Sequence, residues 1–340
     1  MNKKNLTMAE FADAIGLSRP TVSRYFNDRN SVRKSTRQII DRGLQDLDYR
    51  PNFHASNLGR RRTKAIGIIV PSIIDPFFSA LVSTIEVFAE EQGYLTVLQL
   101  SHHDAEMETK ALDRLQSLNP AGIAMAPCGF STNIRAVERT QRHIPMVFMD
   151  SRLREDYPYF GTDNAHSVPL MIDYLCRSGT PPAFLTLPPL NVNIVERQQA
   201  YVRRMGELGL EPILLNPEPI AVRENFERFG YEQFMELPPE KTRNVSTIMC
   251  INDRVALGVL SAAAKLGLKV GKGADCDLRI AGHDNQHFSR FTTPSLTTVA
   301  QDAHHIGVRS VKTLLGVEGG EPLDEAGELI KGKLIIRDSA

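Results

Sequence analysis

Behind its first 64 residues the chain alternates short apolar runs with amphipathic stretches, and this alternation limits the fold more than any other feature. The runs are Ala65–Val70, Leu95–Leu100, Gly122–Ala126, Pro145–Met149, Ala183–Leu187, Ile213–Leu215, Val245–Cys250, Leu278–Ala281 and Leu329–Ile336. Between them lie helical patterns such as Phe77–Gln92, Ala105–Leu118 and Asp253–Leu266. Strands that alternate with helices at this spacing build parallel sheets covered on both faces. The stretch 65–340 is long enough for two such sheets.

The first 64 residues are different. They carry 14 Lys and Arg against 6 Asp and Glu, while the rest of the chain carries 26 against 34. The formal net charge of zero therefore hides a basic head on an acidic body. That segregation points to a polyanion met by the head alone. No apolar run reaches the roughly 18 residues of a membrane helix. The start, Met1 to Asn5, leads into a polar helix and not an apolar export signal. The four cysteines, Cys128, Cys176, Cys250 and Cys276, are widely separated and lack metal-ligand spacing, as suits reduced thiols in a cytoplasmic protein.

In the head, Thr7-Met8-Ala9-Glu10 reads as a capping box that opens a helix with Met8, Phe11, Ala12 and Ile15 on one face. Gly16 ends it and Leu17 packs the turn. Ser18 then caps a second helix with Pro20 in its first turn, Val22 and Phe26 inward, and Arg19, Thr21, Ser23 and Arg24 outward. A third helix is expected from Lys34 to Leu47, with Ile39, Ile40, Gly43, Leu44 and Leu47 inward. Two short helices joined by a glycine turn make a helix-turn-helix, whose second helix suits the major groove of double-stranded DNA.

The run Leu17-Ser18-Arg19-Pro20-Thr21-Val22-Ser23-Arg24-Tyr25-Phe26-Asn27, then Tyr49-Arg50-Pro51-Asn52, then Ala55, Leu58 and Arg60-Arg61-Arg62-Thr63, resembles the LacI/GalR (lactose-repressor/galactose-repressor) family of transcription regulators in order and spacing. The resemblance implies domains at 1–50 (DNA binding), 51–64 (hinge helix and linker) and 65–340 (effector binding and dimerisation). It places Arg19, Pro20, Thr21, Ser23 and Arg24 at the major groove, and Ala55, Asn57 and Leu58 in a hinge at the minor groove. Leu58 matches the leucine that wedges a base step apart. Arginine pairs bidentately with guanine, whereas Pro20 offers only apolar contact where many members carry a hydrogen-bonding residue. Arg50, Arg60, Arg61 and Arg62 suit phosphate contacts. Independently of any relative, a hinge of about eight residues falls short of the ~12–15 that an isolated helix needs, so it folds only against DNA and a partner hinge.

In the body, polar residues fall where strands end, the place where open α/β sheets bind ligands. Asp75-Pro76-Phe77-Phe78 follows the first run, Asp150 the fourth, Asn252 the seventh and Asp284 the eighth. Each polar residue could instead cap the next helix. The family resemblance matches Asn252-Asp253-x-x-Ala256-x-Gly258, Gly282-His283-Asp284, Arg197, Asp150, Phe77 and Phe78 to effector-site positions, with Phe226 standing near the usual aromatic platform. It also implies two similar subdomains around a cleft, like a periplasmic sugar-binding protein, with crossovers near 161–163, 291–293 and 322–327. Carboxylates and a carboxamide with one obvious cation, Arg197, suit a neutral sugar or sugar alcohol. The expected protein is thus a homodimeric repressor of carbohydrate genes on a pseudo-palindromic operator.

Enzyme readings find little support. The first run leads into Pro71-Ser72-Ile73-Ile74-Asp75, not a Gly-x-Gly-x-x-Gly dinucleotide turn, and no phosphate-binding Gly-x-x-x-x-Gly-Lys loop is present. The nine histidines are scattered, so neither a cofactor nor a metal is expected.

Overall fold

The computed structural model describes residues 6–27, 29–50, 57, 61–215, 225–237, 245–316 and 327–340. They fall into two units, Met1–Thr63 and Lys64–Ala340.

The first unit is a small helical domain of α1 (Met8–Ala14), α2 (Arg19–Asn27) and α3 (Lys34–Asp46). Its start is the capping box: Thr7 Oγ1 accepts from Glu10 N, and Glu10 Oε2 accepts from Thr7 N at 2.7 Å. Gly16 takes φ +70° in the turn to α2, a conformation that costs glycine nothing. Phe11, Ala12, Val22, Tyr25, Val32, Ile40 and Tyr49 form the core, with Phe11 stacked on Tyr49 at 4.2 Å. Gly43 lets α3 approach α1 so closely that a Cβ there would run into Ile15. Two inward expectations for α3 are corrected. Ile39 and Leu47 are 45% and 39% exposed, because the helix turns its Ile40–Gly43–Leu44 stripe, not its whole apolar set, to α1. Tyr25 replaces Phe26 as the deeper anchor of α2, and its hydroxyl donates to Asp41 on α3, which Arg29 also bonds at 2.6 Å.

The second unit holds two parallel sheets. Around the first lie β1 (Ala65–Val70), α4 (Pro76–Glu91), β2 (Leu95–Leu100), α5 (Ala105–Leu118), β3 (Gly122–Met125), α6 (Ile134–Gln141), β4 (Met146–Met149) and β5 (Tyr159–Thr162). Around the second lie α7 (Asn164–Ser178), β6 (Ala183–Leu185), α8 (Val192–Glu207), β7 (Leu214–Leu215), α9 (Phe226–Glu236), β8 (Thr247–Cys250), α10 (Asp253–Lys265) and β9 (Arg279–Ala281). The chain then runs through β10 (Thr298–Ala300), α11 (Ala303–Leu315), β11 (Gly327–Ile330) and β12 (Lys333–Ile335). The sheet orders are β11-β5-β4-β3-β1-β2 and β7-β6-β8-β9, with β10 and β12 pairing apart as an antiparallel ribbon. In both sheets the first strand in sequence sits inside and the order reverses beside it, so the two subdomains share one winding scheme. Central strands such as β1, β3 and β4 are buried throughout, as strands covered on both faces must be. Each described α-helix of the body opens on an Asx cap: Asp75, Asp104, Asn133, Asp163, Asn191, Asn225, Asn252 and Asp302.

The chain passes between subdomains three times. β5 belongs to the first sheet, while α7 packs into the second core, so one passage follows Thr162. β10 contributes Val299 to the second core and α11 contributes Ile306 and Val311 to the first, which puts the next passage at 300–303 and not at 291–293. The run 329–336 is not one strand: β11 pairs with β5 and β12 with β10, so the third passage lies at 330–333 and not at 322–327. Gly332 allows it, because a side chain there would press into Val299 and Ser167. Two causes displaced these expectations: β10 lay in none of the apolar runs, and 329–336 read as a single strand.

Candidate functional site

The head presents one polar face of α2. Arg19, Pro20 and Arg24 are exposed, and Thr21 and Ser23 are half-buried beside them. Ser18 Oγ caps the helix by accepting from Thr21 N, and the Ser18 and Thr21 hydroxyls bond at 2.8 Å. Arg50 and Arg61 are exposed and Arg62 is half-buried. Within the expected hinge only Asn57 is described, half-buried; Ala55, Leu58 and Arg60 lie outside the described residues.

The body holds a cavity at the carboxyl ends of both sheets, with about 700 Å³ of atom-free space that opens to solvent. Its wall is supplied by the loops and helix starts after β1 (Asp75, Phe77, Phe78), β2 (His103), β3 (Cys128), β4 (Asp150), β6 (Asn191, Asn193, Arg197), β8 (Asn252) and β9 (Asp284), with Phe226 and Gln301. All eight sequence-selected body residues are therefore brought together. Asp75 and Asn252 are helix caps as well as wall residues: Asp75 Oδ1 accepts from Phe77 N at 2.9 Å and Asn252 Oδ1 from Val255 N at 2.8 Å. Asn252 thus lines the cavity with its Oδ1 committed to the cap. Asp150 and Asp284 cap nothing, and both sit at positive φ, +63° and +118°. Backbone held there for a non-glycine residue marks a site whose surroundings over-determine it.

Arg197 is the hub. It is 6% exposed; Nε donates to Asn164 Oδ1 at 3.0 Å, and Nη1 to Ile251 O at 2.8 Å and Asp284 Oδ1 at 3.3 Å. Asn164 in turn donates to Asn193 and Glu196, and Asn193 to Asp150 O at 2.8 Å. Asp284 Oδ1 also accepts from Gln301 Nε2 at 2.6 Å, and Gln301 Oε1 accepts from Thr162 Oγ1. His283, fully buried, joins Asp284 to Ser167. Burial and then Arg197 push its imidazole down to about 4, so it stays neutral. Burial would raise Asp284, yet Arg197 and His283 outweigh it and leave this carboxyl lowered and ionised. Asp150 is pushed up to about 7 by burial, with Arg197 opposing and Asp284 and Asp75 adding repulsion. The wall therefore combines hydrogen-bond acceptors, carboxamides and three aromatic rings, with one cation already engaged.

Asn252-Asp253-x-x-Ala256-x-Gly258 and Gly282 have structural explanations too. Asp253 is fully buried and accepts from Gln286 N, Ser289 Oγ and Thr298 Oγ1, a set that ties α10 to the strand ends beside it. A side chain on Gly282 would strike its carboxylate, and one on Gly258 would strike Glu227 O of α9. Sequence reasoning missed Asn191, Asn193, His103, Cys128 and Gln301. Asn191 and Asn193 follow β6 and obey the strand-end rule already applied elsewhere, whereas Gln301 follows the three-residue β10, which carried no visible signal. Among the described residues no group of His, Cys, Asp and Glu could hold a metal, and no helix is long and apolar enough to cross a membrane.

Known proteins match both units. A helix-turn-helix model covers residues 1–45 and a periplasmic binding protein-like domain covers 173–340. The chain is 30% identical over 339 residues to the HTH-type transcriptional repressor CytR of Escherichia coli K12, spanning 98% of this chain and 96% of that one. A Lac repressor bound to ONPG in the repressed state superposes with a TM-score of 0.84 at 24% identity, covering 99% of this chain and 100% of that one. A Lac repressor dimer bound to operator and the anti-inducer ONPF gives 0.82 at 23%, with 99% of each chain covered.

Proposed function

The chain belongs to the LacI/GalR family of DNA-binding transcriptional repressors, and from that premise we propose that its homodimer holds a pseudo-palindromic operator in the cytoplasm and changes its grip when a neutral sugar or sugar alcohol enters the body cavity. In this reading Arg19, Pro20, Thr21, Ser23 and Arg24 meet the major groove, Ala55, Asn57 and Leu58 form the hinge, and Arg50, Arg60, Arg61 and Arg62 meet phosphates. The genes repressed are those for carbohydrate use.

One observation carries the choice of ligand: Asp75, Asp150 and Asp284 face the cavity, and among the described residues its one lining Arg or Lys, Arg197, already serves Asp284 and a backbone carbonyl. An anion such as a sugar phosphate would face the carboxyl groups of Asp75, Asp150 and Asp284 across the cavity, with Arg197 already engaged. Hydroxyls donate to carboxylates and accept from the Asn252 and Asn193 amides, while Phe77, Phe78 and Phe226 cover the apolar faces of a sugar ring. Occupancy alters the relation of the two subdomains, and the hinges, too short to hold helical form alone, transmit it as a change in their own folding equilibrium.

The test is a thermal-shift panel of free sugars, sugar alcohols, sugar phosphates, nucleosides and purines on the full chain. A free sugar at a hundred times its Kd stabilises by about 2.7 kcal/mol and raises Tm accordingly. Stabilisation by phosphates alone, or by purines or nucleosides alone, removes the sugar reading.

A further inference from the structure

Behind the cavity wall stands Arg254, a side chain only 6% exposed that sequence reasoning did not select. It belongs to α10 of the second subdomain. Its Nε and Nη2 donate to the two oxygens of Glu227 at 2.7 and 2.8 Å, a fork that fixes the guanidinium plane against α9. Its Cζ lies 4.9 Å from the centre of the Phe226 ring. The remaining terminal nitrogen, Nη1, donates to Asp75 Oδ2 at 3.3 Å, and Asp75 belongs to the first subdomain.

We propose that Arg254 is a positioning residue: one guanidinium fastens the Phe226 ring of the second subdomain to Asp75 of the first, so that the aromatic wall is set only when the cleft is shut. Each end of this bridge is anchored to backbone. Asp75 accepts from Phe77 N with its other oxygen, and Gln286 Nε2 adds a longer contact at 3.4 Å. Glu227 cannot drift from Arg254, because α9 and α10 touch at Gly230 and Gly258 with no room for a Cβ. An opening of a few ångströms therefore breaks the Asp75 contact and leaves the Glu227 fork whole. The carboxylates facing Arg254 are Asp75 of the first subdomain and Glu227 of the second, with Asp284, also of the second, acting on Asp75, so the guanidinium is shared between carboxylates of the two subdomains. Buried pairs of this kind sit near energetic balance, which is what a two-position element requires. Only the ligand arm of the test rests on the cavity being the effector site.

The chain has no tryptophan, so Phe226→Trp installs a single indole reporter at the platform. In the full chain without added sugar, Arg254→Gln and Asp75→Asn are each expected to raise acrylamide quenching of that indole at least twofold. The pair together should raise it no more than the larger single change, and Arg254→Lys should keep part of the protection. Asp75→Asn retains the cap through Oδ1 but puts an NH2 where Oδ2 accepted from Arg254, so it decides the matter even where Arg254→Gln folds poorly. Unchanged quenching in Asp75→Asn, or additive effects in the pair, overturns the proposal. With D-ribose, D-galactose and D-xylose as probes, the same variants should weaken any measured Kd about tenfold. A chain that shows the quenching pattern but ignores all three keeps the bridge and removes these three sugars as ligands.

Discussion

The head and the body put their working residues in opposite places. The head displays Arg19, Pro20 and Arg24 in water on one short helix, and its core of Phe11, Val22 and Ile40 lies elsewhere. The body buries Arg197, Asp284 and Asn252 where seven strand ends and two passages meet, and the groups that line its cavity also bond to one another and to the scaffold. In the head, recognition and stability are separable, because an exposed side chain contributes little to folding. In the body they are the same bonds. Damage should therefore look different in the two units.

Four substitutions test that contrast. The largest effect should follow Arg197→Ala, which leaves Asp284 buried without its cation and strips Asn164 and Ile251 O of a donor. About 3–5 kcal/mol of stability should be lost in urea unfolding of the body, together with all response to sugar in a gel-shift assay. A loss below about 1 kcal/mol would break the claim that ligand site and scaffold coincide. Next, Arg24→Ala in the head should cost about 1–3 kcal/mol of operator affinity, leaving the melting curve within error of the parent. A drop in Tm would show that the head too uses its readers as scaffold.

Asp150 gives the third. Its carboxyl is held at about 7 against the ordinary 3.8, so the folded chain binds the extra proton between those values. Stability from this group is present below pH 4 and is lost as pH rises through 7. Asp150→Asn should remove that slope and make the variant more stable than the parent at pH 8 by about 1–2 kcal/mol, after discounting for its partial exposure. Equal pH profiles in chemical unfolding would count against the crowding of carboxylates in the cavity. The smallest change is Thr7→Ala, which removes the capping box of α1 and should cost about 1 kcal/mol of head stability with no effect on body unfolding.

Legibility in the sequence followed the same divide. Thr7 with Glu10, Gly16 and Ser18 are local signals, and the helices they announce stand where the spacing puts them. Asp75, Asp150, Asn252 and Asp284 were legible because each stands just after an apolar run that marks a buried strand. Gln301 and Arg254 were not, since nothing in their neighbours along the chain reveals a partner 17 residues away at Asp284 or 179 away at Asp75. The split of 329–336 between two sheets was hidden for a related reason: both halves look equally apolar, and only Gly332 and the packing around it decide where the chain turns.

The three passages also order events in time. β5 at the margin of the first sheet waits for β11, which is made only after the whole second sheet has been synthesised. At ribosomal speeds of about 5–20 residues per second, that edge stands unpaired for roughly 10–30 s. The head is complete throughout this interval and can already present its reading helix. A newborn chain is thus able to touch DNA before it has a cavity with which to be told otherwise, and the exposed edge of β5 is the place where crowding or heat would divert it into aggregates.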